Sequence, residues 1–196
     1  MASNRIILAS SSPRRKQILE WADVPFEIRT KEIDESFDPA LDLQAAIADV
    51  ARRKAEAILE GVAGDTIVLA ADTVVVLDNQ VIGKPKSRED AIDILTRLQN
   101  RTHQVITGVA LLKGAQEVLF SDVTEVTFHP LTLQQIVYYI DQYQPFDKAG
   151  SYAIQEWIGV VGIKNINGDF YNVMGLPVSR ILQEMRKLQY KFAEDE

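Results

Sequence analysis

The run TIVLAA at residues 66–71 constrains this chain most, because a continuous apolar stretch of that length suits a strand buried on both faces. Such a strand needs covering layers. Asp72-Thr73 ends it, residues 74–77 follow as strand, and Asp78-Asn79 forms a hairpin turn before Val81-Ile82. Residues 6–9 form a second short buried strand, and Ser10-Ser11-Ser12-Pro13 follows as a helix start, with Ser12 as N-cap and Pro13 at the first helical position. The first unit is therefore strand, tight serine loop, helix. That helix carries Ile18, Leu19 and Trp21 on one side, after which Phe26 and Ile28 alternate with polar residues as in a strand.

Residues 31–41 read as a loop containing Asp34 and Glu35. Over residues 42–60, Leu43, Ile47, Val50, Ala51, Ala55 and Ile58 recur at helical spacing, with Gly61 as the stop. Lys54 lies on that apolar face, whereas Arg52 and Arg53 look solvated. Further on, Ser87 caps a helix with Ala91, Ile94, Leu95 and Leu98 inward. Two long strands at 102–113 and 117–128 join around Gly114, and Thr132 with Gln135 opens another helix. A hairpin turning at Asn167-Gly168 precedes a last helix begun by Gly175-Leu176-Pro177 and ending in an acidic tail.

The chain has 196 residues, 46% of them hydrophobic and 25% charged, as in ordinary globular proteins. We expect one domain over residues 1–196. With 21 basic and 28 acidic residues the net charge is −7, which works against nucleic acid and anionic membrane as partners. Absence of cysteine removes thiolate chemistry and cysteine zinc sites, and the histidines are limited to His103 and His129. No apolar run suits a signal peptide or a bilayer span, so a cytoplasmic protein is expected. Chemistry falls to carboxylates, lysines, arginines, hydroxyls and a hard cation held through oxygen.

Ser10, Arg14 and Arg15 stand at a strand-to-helix junction, where backbone N–H groups, hydroxyls and guanidinium forks favour an oxyanion. The alternative is a capped helix with a solvated basic first turn. Asp72, at the end of an apolar run, is either a turn-starting residue or a carboxylate facing a ligand. Lys54 either snorkels to the surface or reaches a phosphate. Lys84 and Lys148 sit on stiffened backbone beside Pro85 and Gly150. Together these groups suit a polyphosphate with a divalent cation. Neither a Walker motif, a Gly-x-Gly-x-x-Gly run nor a Gly-x-Ser-x-Gly elbow occurs, which argues against P-loop, Rossmann and serine-hydrolase chemistry.

The chain resembles the Maf nucleotide pyrophosphatases, also called septum formation inhibitors. The resemblance is carried by ILASSSPRR ending at Arg15, IDE ending at Glu35, RKA around Lys54, ADTVV around Asp72, GKP around Lys84, THQV with Thr107-Gly108, FDKAGSYAIQ ending at Gln155, and Gly175-Leu176-Pro177. It implies an α/β fold with a long twisted mixed sheet flanked by helices and two lobes around a central cleft, similar to the inosine-triphosphate pyrophosphatase folds, and a homodimer. It further implies hydrolysis of a nucleoside triphosphate to monophosphate and pyrophosphate. By the same comparison Asp72 is the general base, and Ser10, Arg14, Arg15, Lys54 and Lys84 line the phosphate site. Glu35 and Asp72 hold Mg²⁺ or Mn²⁺, while Arg14, Thr73 and Gln155 match the branch acting on dTTP and UTP. Gln144 and Glu156-Trp157 depart from that branch's pattern. The family's older name suggests a second reading, an interaction protein restraining cell division with a nucleotide-sensing cleft.

Overall fold

The computed structural model describes residues 5–192. Its strands are β1 (Ile6–Leu8), β2 (Glu27–Ile28), β3 (Ile67–Leu77), β4 (Gln80–Ile82), β5 (Thr102–Lys113), β6 (Gln116–Phe128) and β7 (Ile163–Asn167). Its helices are α1 (Pro13–Trp21), α2 (Leu43–Leu59), α3 (Arg88–Leu98), α4 (Leu133–Tyr143), α5 (Trp157–Gly162), α6 (Phe170–Met174) and α7 (Val178–Lys187), with a 3₁₀ turn at Ala149–Ser151. The result is a mixed α/β fold on a seven-stranded sheet, ordered β2-β1-β3-β5-β6-β7 with β4 beside β3. β1 runs parallel to β2 and β3, whereas β4 and β7 pair antiparallel with β3 and β6.

The chain separates into two compact units, and the divisions fall within β3, β5 and β6 and just after α6. One unit holds the described residues up to Asp72, 107–122 and the described residues from Gly175 onward. Its core interleaves Ile7 and Ala9 of the first strand segment, Val68 and Ala70 of β3, and Ala110 and Leu112 of β5 with Ala51 and Ala55 of α2. Alternate strand residues thus share the face that receives an i, i+4 pair from the helix. Gly108 lets the helix settle closely, because a Cβ there would lie 2.5 Å from Ala48 N and 2.5 Å from Ile47 C. The second unit holds residues 73–106 and 123–174, where α3 packs on α4 and the rings of His103, Phe128 and Tyr152 meet.

Several helix starts follow the sequence reading. Asp42 accepts from Ala45 N–H, Ser87 from Asp90 N–H, and Thr132 forms a reciprocal capping box with Gln135. Ser12 occupies the N-cap of α1 but makes no side-chain cap; its N–H instead donates to Ser10 Oγ at 3.2 Å. Trp21 is 56% exposed, leaving Ile18 and Leu19 as the buried face of α1, and β2 is short with Ile28 exposed.

Two turns expected from sequence are not made. Asp72-Thr73 does not end a strand, since β3 runs unbroken through both, with neighbouring strands supplying its ladder. Asn167-Gly168 is no hairpin: β7 pairs back onto β6, and Asp169 Oδ1 accepts from Tyr171 N–H to start α6. Thr124 Oγ1 accepts from Asp169 N–H at 3.1 Å and fixes that exit. The acidic tail expected at the C-terminus lies mostly outside the described residues. Among those described, no helix is long and apolar enough to cross a membrane.

Candidate active site

Asp72 closes the first unit's share of β3, half-buried at 17% side-chain exposure, where an unpaired carboxylate would be costly. Its partner comes from α2. Lys54 precedes the buried Ala55, so its stem leaves the helix beside the core, and Nζ reaches Asp72 Oδ1 at 2.7 Å. The same ammonium lies 2.8 Å from Glu35 Oε1 in the 31–41 loop. One cation is thereby held between two carboxylates contributed by a strand and a loop.

Beside them, the serine loop carries its own cation. Ser10, 8% exposed, accepts from Arg15 Nη1 at 3.1 Å, and Arg15 Nε donates to the Gly175 carbonyl at 2.8 Å. Burial lowers the Arg15 pKa, the carboxylates of Asp72 and Glu35 oppose that effect, and Arg14 adds to it. Ser10, Arg14, Arg15, Glu35, Lys54 and Asp72 therefore belong to one unit and one electrostatic neighbourhood. Arg53, expected to be solvated, instead bonds to Asp49 and to the backbone of the 34–36 segment.

Thr73, Lys84 and Gln155 lie in the second unit. Lys84 is exposed next to Gly83, whose carbonyl accepts from Gly150 N–H at 3.1 Å. Gln155 is exposed on a tightly held segment. Tyr139 OH accepts from Ala153 N–H at 3.1 Å and donates to Glu156 Oε2 at 2.5 Å, while Lys148 Nζ stands 3.6 Å from Glu156 Oε1. Gly159 allows the first turn of α5 to lie against this segment, since a Cβ there would fall 1.7 Å from the Ile154 carbonyl oxygen. Glu156, which departs from the pattern of the resembled branch, thus has a defined role beside Gln155. His103 is buried against Tyr152, Nε2 and OH sharing a hydrogen bond at 2.7 Å.

Among the described residues no three histidine or carboxylate side chains gather as a metal cage. Mg²⁺-like cations nonetheless bind through one or two carboxylates plus substrate phosphates. Glu35 and Asp72, already sharing the Lys54 ammonium, fit that donor set.

Carboxylate, ammonium and guanidinium groups thus gather at the serine loop and strand β3 of an α/β scaffold, a donor set whose charges suit an oxyanion with a hard cation. A family model described as "Maf-like protein" matches residues 5–188, and the chain belongs to that family. It is similar to a dTTP/UTP pyrophosphatase of Cytophaga hutchinsonii, 50% identical over 93% of this chain and 84% of that one. It is likewise similar to the dTTP/UTP pyrophosphatase of Parabacteroides distasonis, 46% identical over 93% and 95%. Among solved structures, the Ham1 protein of Staphylococcus aureus covers 95% of this chain and 100% of its own with a TM-score of 0.50. At 13% identity that likeness concerns the fold alone.

Proposed function

We propose that the protein hydrolyses dTTP and UTP to the nucleoside monophosphate and pyrophosphate. The observation that carries the reading is the Lys54 ammonium shared by Asp72 and Glu35, in a chain whose relatives bear the name of that activity. Water attacks the α-phosphorus, the bond to the bridging oxygen breaks, and pyrophosphate leaves with the electron pair. Asp72 orients the water and takes its proton at a carboxylate oxygen. Lys54, Arg14, Arg15 and Lys84 bind the β and γ phosphates and offset charge growing on the leaving group, with Ser10 holding Arg15 in register. Mg²⁺ or Mn²⁺, held by Glu35 and Asp72, would neutralise phosphate charge. Thr73 and Gln155 read the base, the amide offering both donor and acceptor to a pyrimidine edge.

Chromatography of products after incubation with dTTP, UTP, CTP, GTP and 7-methyl-GTP, with Mg²⁺, Mn²⁺ or chelator, tests this. Metal-dependent monophosphate and pyrophosphate from dTTP and UTP are expected. Nucleoside diphosphate plus a single orthophosphate, or no turnover, would refute the assigned bond cleavage.

A further inference from the structure

Glu35 sits in the 31–41 loop, where every residue is exposed except the half-buried Ile33. A segment with so few buried contacts opens at little cost, yet its carboxylate is fixed on Lys54. The residue preceding Lys54 explains the placement. Arg53 Nη1 donates to the Asp34 carbonyl and Nη2 to the Ser36 carbonyl, at 2.5 Å for the latter, so one guanidinium grips the backbone on both sides of Glu35. Its Nε donates to Asp49 Oδ2 at 2.9 Å, one turn earlier on α2. Asp34 tightens the gripped segment by accepting from the Ser36 N–H at 2.9 Å and the Ser36 hydroxyl at 2.8 Å.

We infer that Arg53 is a positioning residue that presents Glu35 to the reacting triphosphate, an inference resting on the role proposed for Glu35 above. Consecutive residues of α2 divide the task, Arg53 taking the loop's backbone and Lys54 its carboxylate. Only a planar fork reaches two carbonyls while a third donor stays on Asp49, so lysine is a poor substitute.

The test joins hydrogen–deuterium exchange with a double-mutant cycle on the full chain. Arg53→Met keeps the apolar stem and removes the fork. Peptides over residues 31–41 should exchange roughly tenfold faster or more, with β3 unchanged. Turnover of dTTP should fall about ten- to a hundredfold, chiefly in kcat. Arg53→Met combined with Glu35→Gln should be no slower than Glu35→Gln alone, and Arg53→Lys should fall between wild type and Arg53→Met in both readouts. Unchanged exchange, or the same loss of rate in the Glu35→Gln background, would overturn the inference. If Arg53→Met does not fold, Arg53→Lys decides by the same measurements. Wild-type turnover in Glu35→Gln would overturn the proposed role of Glu35, while the exchange comparison alone still decides whether Arg53 clamps the loop.

Discussion

Lys54 Nζ and Asp72 Oδ1 lie 2.7 Å apart, joining a helix to the middle of an unbroken strand. Both side chains are more than four-fifths shielded, at 15% and 17% exposure, so the pair is a directed contact rather than a fluctuating surface bridge. Asp72→Asn keeps the shape and an acceptor for Lys54 but cannot take a proton. Turnover of dTTP should drop about 10²- to 10⁴-fold, with unfolding stability reduced by only ~1–2 kcal/mol. Steady-state rates and urea unfolding of the same preparation check this; near wild-type turnover would remove Asp72 as the base.

Gln155 is exposed while its flanking residues are tied to Tyr139, so truncating it should leave the segment in place. For Gln155→Ala the ratio of kcat/KM for dTTP to that for CTP should fall roughly tenfold, the scale of one lost discriminating hydrogen bond. An equal loss for every nucleotide would point to phosphate or backbone positioning instead of base reading.

Elements governed by neighbours in the chain were legible in the sequence. Ser87 and Thr132 cap because their oxygens meet amides within three residues, and Asp78 and Asn79 turn at φ of 51° and 60°, both left-handed. What depended on distant partners was not. Asp72 stays in strand because the sheet continues around it, against the breaking tendency of Asp-Thr. Ser10, Arg15, Lys54 and Asp72 each stood out singly, as charges or hydroxyls beside apolar runs. That Lys54 joins Asp72 to Glu35 needed tertiary structure. Arg53 stood in the RKA run yet read as solvated, since its fork acts on carbonyls, which every residue possesses.

Gly108 shows how a contact remote from the chemistry supports it. Adding a Cβ would drive it into the backbone of Ala48 and Ile47 on the helix that carries Lys54. Gly108→Ala should cost ~1–3 kcal/mol or more by urea unfolding and lower kcat by shifting α2. Gly64→Ala, with nothing within 4 Å of the new methyl group, should stay within ~0.5 kcal/mol. Equal stabilities of the two variants would show that α2 adjusts freely.

Acid sensitivity should centre on His103. Burial lowers its pKa to about 4 from an ordinary 6.5, its ring sharing a bond with Tyr152 while Nδ1 has no hydrogen-bond partner among the described residues. Between those values the unfolded chain binds a proton that the folded chain refuses, so stability is full above pH 6.5 and falls as the medium is acidified toward pH 4. The whole window is worth up to ~3 kcal/mol. Asp49, whose pKa is held down by its hydrogen bond from Arg52 against desolvation, acts lower still, losing its contribution only below the usual carboxylate range. Urea unfolding of wild type and His103→Gln at several pH values separates these effects. The variant should lose the slope between pH 4 and 6.5 while keeping the steeper decline beneath it. A slope that persists in His103→Gln would place the responsible proton on another group.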